Sequence, residues 1–383
     1  VKRFALKFML IAGMLVGLPP LGIMFAGYPL ARYFEFPPRS RFIEHAPFSW
    51  AVFGAYAVFI VASILPFVAR ALRSAGGQSS APPRPQAFPW WGWAGALFGL
   101  LAWVLAWSRF DWFAPFQPHT FTPLWLSYIV VVNAMCLRRN GRCPMTSRPL
   151  YFLALFPASA AFWWFFEYLN RFVQNWDYAG ARFDAWEYFW YATLPFATVL
   201  PAVLSTRELI RPRRWLQNGF RRFAVLRCRR PRPLALGALI LAAGGLTAIG
   251  VWPDTFFALL WMAPLVIILS SKVLFREPSL LDEVAKGDWR TVIASALAAL
   301  TCGWFWEMWN AGSQAHWTYS IPHVHRFLVF EMPVLGYAGY LPFGLECAVI
   351  GDLIDWSGRG GPKRPEAIKT ETKSISTANR RTR

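Results

Sequence analysis

The chain has 383 residues, 56% of them hydrophobic, 18% aromatic and only 15% charged, whereas roughly a quarter of the residues in soluble domains carry charge. This balance excludes a soluble globular protein, and the apolar runs recur along the whole length, leaving no room for a large soluble domain. The net charge of +19 does not point to nucleic acid, because the basic residues sit in loops and tail between apolar runs, where membrane topology accounts for them.

Each apolar run is judged against the ~20 residues that cross a hydrocarbon core. The N-terminus has the basic start and apolar middle of a signal peptide. Its apolar part exceeds the roughly 7–15 residues of a signal core, and no small-residue cleavage site precedes Pro19-Pro20. An uncleaved first span over 4–30 is expected, kinked where the two prolines remove backbone donors. A second span is expected at 48–70, and the Gly/Ser/Pro-rich stretch 73–89 reads as a cytoplasmic linker. Spans three to six are expected at 90–107, 122–137, 150–168 and 186–205.

Residues 206–233 then carry ten arginines against the single acid Glu208. Leu216, Phe220 and Phe223 recur there at helical spacing, which suggests an interfacial helix on anionic headgroups, with a solvated basic loop as the alternative. Spans seven to ten are expected at 234–251, 255–275, 289–309 and 327–350. Past Asp355 the polar, basic tail lacks apolar periodicity and is expected to be disordered. Ten spans place 32 of the 39 lysines and arginines on the side of the termini and 7 on the other. The positive-inside rule therefore puts both termini in the cytoplasm of a bacterial-type inner membrane.

Two stretches share a skeleton. Residues 164–178 read WFFEYLNRFVQNWDY and residues 303–319 read GWFWEMWNAGSQAHWTY. Glu167, Asn170 and Gln174 align with Glu307, Asn310 and Gln314 at an offset of 140, and Trp176 and Tyr178 with Trp317 and Tyr319 at 141. Leu200-Pro201 matches Leu341-Pro342, and Thr120-Phe121 with Trp125 matches Thr255-Phe256 with Trp261. The expected fold is all-α and polytopic, with about ten transmembrane helices. Two N-terminal helices (1–72) precede four-helix repeats at 90–210 and 234–356, which flank a basic loop (211–233) and are followed by the tail (357–383). An even number of spans per repeat gives both the same orientation, related by an axis along the membrane normal.

In each copy Glu, Asn and Gln fall at i, i+3 and i+7 and share one helix face. A carboxylate in a membrane span is costly and faces a cavity or a partner. Glu167 and Glu307 are therefore candidates to orient a ligand's polar end or to donate protons, with Asn170, Asn310, Gln174 and Gln314 hydrogen-bonding it. The alternative is that these side chains tie each helix to the loop that follows. Trp164, Trp304, Trp306 and Trp309 crowd the two glutamates and would hold an apolar part, although packing or an aromatic belt also explains them. Glu331 and Glu346 exist only in the second half and are further ligand-binding candidates, Glu331 also a catalytic one, and Pro333 and Pro342 are expected to break span ten.

His316, His323 and His325 cluster on the last outer loop but match no established metal spacing. The five cysteines, Cys136, Cys143, Cys228, Cys302 and Cys347, have no CxxC pair and read as free thiols. No GxxxxGK, GxGxxG, HExxH or GxSxG occurs, which removes support for a nucleotide-driven pump, a Rossmann enzyme, a zincin or a nucleophile-elbow hydrolase. The duplicated unit with glutamates near prolines is similar in outline to lycopene-cyclase-type repeat proteins, but that family's adjacent Glu pair after proline is missing, so no family is assigned.

The leading functional expectation is a pseudo-symmetric, outward-facing pocket that binds or transports an amphipathic or lipid-like molecule. The alternatives are an intramembrane enzyme acting on a lipid or isoprenoid, and a structural subunit of a membrane complex. The expected partners are membrane lipids and an amphipathic small molecule, without nucleic acid and without a cofactor. The sequence leaves the oligomeric state open.

Overall fold

The structure, a computed structural model, describes residues 2–74 and 86–357. Most of the expected linker 73–89 and the expected disordered tail beyond 357 lie outside the described residues. The α-helices of seven or more residues among the described residues are, in chain order, α1 (Lys2–Phe25), α2 (Trp50–Ser74), α3 (Trp90–Trp107), α4 (Phe121–Asn140), α5 (Pro149–Val173), α6 (Ala185–Phe196), α7 (Val199–Ile210), α8 (Arg214–Phe220), α9 (Pro231–Ala248), α10 (Leu259–Leu274), α11 (Arg290–Gly312) and α12 (Tyr340–Ser357). Among the described residues eight segments are long and apolar enough to cross a membrane: α2, α3, α4, α5, α6–α7 as one broken span, α9, α11, and residues 334–355, most of which are α12. Two shorter apolar helices, residues 9–25 and α10, fall within the first and eighth expected spans. The protein is thus an all-α, membrane-embedded protein.

Helices close in the chain pack together: α3 with α4, α9 with α10, α5 with α7, and α11 with α12. At the α3–α4 contact Gly92, Gly95 and Gly99 face Ala134, Val130 and Ser127 so closely that a side chain on any of the three would collide. Small residues are what lets helix backbones approach where lipid offers no hydrophobic drive. At the centre lies α7, against α4, α5, α11 and α12, and every residue from Val199 to Thr206 is buried.

The break between α6 and α7 follows from Pro195 and Pro201, which remove helix donors. Ser159 on α5 repairs it. Its hydroxyl donates to Phe196 O (2.6 Å) and accepts from Leu200 N (3.0 Å), so freed backbone groups find a partner inside the bilayer, as they must.

The expected span ten is corrected. It was expected over 327–350 with breaks at Pro333 and Pro342, but Leu328–Val329 (β3) and Met332–Pro333 (β4) form a two-residue-turn hairpin, a 3-10 turn covers Val334–Gly339, and α12 begins only at Tyr340. The helical path is interrupted as far as Pro333, whereas Pro342 falls in the first turn of α12, where proline is tolerated. Pro333 has no donor to continue a helix, and Phe327 (φ 54°) and Phe330 (φ 56°) sit in the left-handed region that no α-helix admits. Residues 214–220 do form a helix, but its apolar face is turned to protein. Leu216 and Phe220 are fully buried beside Phe67, Trp289 and Ala294, and Arg70 Nε donates to Gly219 O at 2.8 Å. The apolar face found protein partners on α2 and α11 before it could meet lipid.

α2 differs from the other spans in having no buried residue along its length. Its neighbours are α8 at one end and the 334–339 turn, so it stands off the bundle. Ser159→Ala should leave two buried backbone groups without partners and cost about 2–4 kcal/mol. The check is the thermal midpoint in detergent, which should fall by several degrees while helix content at low temperature is retained.

Candidate functional site

α5 ends at Gln174, whose left-handed backbone (φ 47°) turns the chain into strand β1 (Trp176–Ala179). α11 ends at Ser313 and leads into β2 (His316–Tyr319). The strands pair antiparallel, with Trp176 opposite Tyr319 and Tyr178 opposite Trp317. Alternation along a strand puts all four of these rings on one face.

That face meets the two carboxylates. Glu167 Oε1 accepts from Trp176 Nε1 (3.1 Å), Tyr178 OH (2.6 Å) and Trp163 Nε1 (3.1 Å). Glu307 Oε1 accepts from Tyr319 OH (2.7 Å) and Tyr340 OH (2.6 Å), and Trp317 Nε1 donates to the Tyr319 hydroxyl (2.8 Å). Burial, reinforced by the adjacent carboxylate, holds the Tyr178 and Tyr319 hydroxyls well above the usual phenol range, so they stay protonated and donate. The asparagines act on the backbone. Asn170 Nδ2 donates to Trp176 O (2.8 Å) while its Oδ1 accepts from Asn175 N (2.9 Å), and Asn310 clasps both Trp317 N (2.8 Å) and Trp317 O (2.7 Å).

Beside this cluster lies a cavity of about 1380 Å³, larger than the ~300–1,000 Å³ usual for pockets that hold drug-sized molecules. Its upper wall is aromatic, with Trp163, Trp176, Trp261, Trp306, Tyr319 and Tyr340. α2 closes one side through Phe59, Ile60, Ser63 and Phe67, α6 forms another, and Trp215 and Phe220 floor the arginine-rich end. Phe59 is 69% exposed and Leu194 on α6 50%, and both line the cavity, which is open along a slot between α2 and α6.

The structure distributes the sequence-derived candidates unevenly. Glu167 and Glu307 are buried (6% and 0% exposed) and stand one layer behind the cavity wall, reached through the rings that bond them. Trp306 is on the wall. Trp309 packs into Trp125 and Trp103, Trp164 donates to Thr193 Oγ1 (2.9 Å), and half-exposed Trp304 rests on Phe330. Gln174 holds the N-terminal segment, its Oε1 accepting from Phe42 N and Ile43 N and its Nε2 donating to Ser40 O. The Gln314 carbonyl pairs with the His316 ring at 2.9 Å, so the two glutamines do not share a role.

Glu331 sits in the turn of the β3–β4 hairpin. Glu346, buried on α12, accepts from Leu265 N (3.2 Å) directly after Pro264 of α10. His316 lines the cavity, whereas His323 adopts a left-handed turn (φ 63°) whose N–H meets Ala46 O. Burial draws the His325 imidazole below its usual range. Among the described residues no three His, Cys, Asp or Glu side chains converge on a metal-sized site.

Three contributors escaped sequence reasoning. Trp163 lies one turn before Glu167, at a spacing that places it on the same helix face, and was findable. Tyr340 and the cavity face of α2 have no local signal, since chain reversals far from the motif bring them there. No protein-family model, curated protein or solved structure matches the chain. Asn310→Ala should strip both backbone partners from Trp317 and cost about 2–4 kcal/mol, read as a lower thermal midpoint in detergent. Asn170→Ala should show a loss of the same order, and the two losses should exceed that of an exposed control such as Asn218→Ala.

Proposed function

We propose that this multi-pass protein binds or moves an amphipathic, lipid-like molecule in the crevice between α2, α6 and the aromatic wall. The observation that carries the reading is the crevice itself: lined mostly by apolar surface, about 1380 Å³ in volume, and bordered by a slot whose rims, Phe59 and Leu194, are exposed. A molecule with a long apolar part can enter from the bilayer without crossing water.

On this reading the chain crosses a bacterial-type inner membrane ten times, with both termini cytoplasmic and the β1–β2 end outward. The two halves, 90–210 and 234–356, are same-orientation repeats. Support for the repeats comes from the strand register, in which Trp176 faces Tyr319 and Tyr178 faces Trp317. Aligned residues then exchange places about the centre of the pair, as a two-fold axis between equivalent halves requires. Glu167 and Glu307 shape the pocket indirectly, by fixing the ring donors that form its wall.

One observation favours the alternative of an intramembrane enzyme. Tyr340, on the wall, donates to Glu307, whose Oε2 is buried without a partner, which forms a short path for a proton between wall and carboxyl. Purification in mild detergent, lipid extraction and mass spectrometry test both readings. The wild type should retain a lipid-like molecule, and Ser63→Trp with Ala192→Trp, which fill the crevice, should reduce it at least about tenfold with the thermal midpoint unchanged. An equal yield from filled and unfilled proteins would overturn the binding reading. If Glu307→Gln carries a different molecule from the wild type, the enzyme reading is favoured over simple binding.

A further inference from the structure

The crevice ends, near β1, in a rim whose charge and unmet hydrogen bonds are unlike the rest of its lining. Three arginines border it, Arg39, Arg41 and Arg182, against a single lining carboxylate, Asp177. In the ten-span topology only seven of the chain's 39 lysines and arginines fall on this side, and three of those seven border this one opening. Glu35 presents the first of them by accepting from Arg39 N (3.2 Å) and Ser40 N (2.8 Å), and the Ser40 N–H holds its carboxyl below the usual range. The Arg39 guanidinium donates to Phe183 O (3.1 Å), which uses only part of its five donors. Arg41 pairs with Asp177 at 3.0 Å, its side chain still 60% exposed. Arg182 makes no hydrogen bond or ion pair among the described residues.

Beneath this rim, polar atoms on the cavity lining lack partners. Asn175 is 1% exposed, and both its Nδ2 and its Oδ1 are buried without a hydrogen bond. Its backbone, by contrast, is fully used, the N–H donating to Asn170 Oδ1 and the carbonyl accepting from Ser320 N. His119 Nδ1 and Tyr188 OH are likewise buried and unpaired, and both residues line the same cavity. A buried amide left unmet costs on the order of 1–3 kcal/mol, and native proteins keep few of them. Three unpaired groups at one end of one cavity mark a place where a polar ligand completes the bonding.

From this we infer that the occupant of the crevice is an anionic lipid whose phosphate-bearing headgroup is held by Arg39, Arg41 and Arg182, with Asn175, His119 and Tyr188 beneath it. The inference rests on the crevice reading above and names its ligand class. Guanidinium forks match phosphate oxygens in geometry and charge. Asn175 offers Nδ2 as a donor to the phosphate and Oδ1 as an acceptor for a hydroxyl, so a glycerol-type head satisfies both atoms. The apolar chains then lie along the aromatic wall and α2.

The test uses the full chain in detergent, titrated with phosphatidylglycerol, with phosphatidylcholine of identical chains and with soluble glycerol 3-phosphate, and followed by native mass spectrometry. Phosphatidylglycerol should bind at least about tenfold more tightly than phosphatidylcholine, and the triple variant Arg39→Gln/Arg41→Gln/Arg182→Gln should abolish that preference. Asn175→Leu should weaken phosphatidylglycerol binding severalfold while leaving the lipid-free thermal midpoint equal or higher, since the amide makes no internal side-chain bond. A lower midpoint for Asn175→Leu, with phosphatidylglycerol affinity unchanged, would overturn its place in the headgroup site. Equal binding of both lipids, blocked in each case by Ser63→Trp, would overturn the anionic inference and leave the crevice reading standing. Lipid binding that Ser63→Trp does not disturb would remove both. Glycerol 3-phosphate binding as tightly as the lipid would make this a solute site and overturn the lipid assignment.

Discussion

Two buried asparagines hold the strand end of this protein together. Asn170 and Asn310 sit in the last turns of α5 and α11, where helices leave carbonyls unpaired and chains begin to wander. Each closes a ring of hydrogen bonds with the backbone of the following strand. With both strands so fixed, β1 and β2 can pair, and their pairing turns two tryptophans and two tyrosines back toward the helix ends. Glu167 and Glu307 then collect those ring donors. Removal of the amides would loosen Trp176, Tyr178 and Tyr319 and leave Glu167 only Trp163 and Glu307 only Tyr340 as fixed donors, so the costly burial of two acids leans on two neutral side chains.

A carboxylate in a membrane interior needs partners that satisfy it without adding another charge. Indole and phenol meet the need, since each brings one donor on a large apolar body. The same rings that satisfy the acids on one side present an apolar surface on the other. The aromatic wall of the crevice and the polar cluster behind it are therefore one construction seen from two sides. Trp176 donates to Glu167 while its ring stacks on Trp261, and Tyr340 donates to Glu307 while stacking on Trp306.

Much of this was legible in the chain. Apart from span ten, apolar run length located the spanning helices to within about five residues, because backbone satisfaction in lipid permits little else. The spacing of Glu, Asn and Gln placed the helix-end clusters, and the motif residues Trp176, Tyr178, Trp317 and Tyr319 proved to be the rings involved. What the pattern could not convey was which partner each side chain would choose. Asn170 chose the backbone, Gln174 a segment more than a hundred residues away, and Leu216 with Phe220 a protein groove in place of lipid. Span ten was misjudged because hydropathy counts LVFEMPVLGY as apolar, whereas Pro333 and two left-handed phenylalanines decide its shape. Asn175 gave no signal at all: an orphan amide is recognisable only once its surroundings are known.

The position of α2 has a mechanical consequence. It is held chiefly at its ends: Ser49 N bonds to His323 O at one (2.9 Å), and Arg70 and Ser74 bond to Gly219 O and Trp215 O at the other. Between those ends its inner face meets the crevice. A rod pinned at both ends bends most easily at its middle, and among the described residues bowing α2 outward breaks no hydrogen bond between its middle and the bundle. The width of the slot can then vary while both ends of the crevice keep their shape.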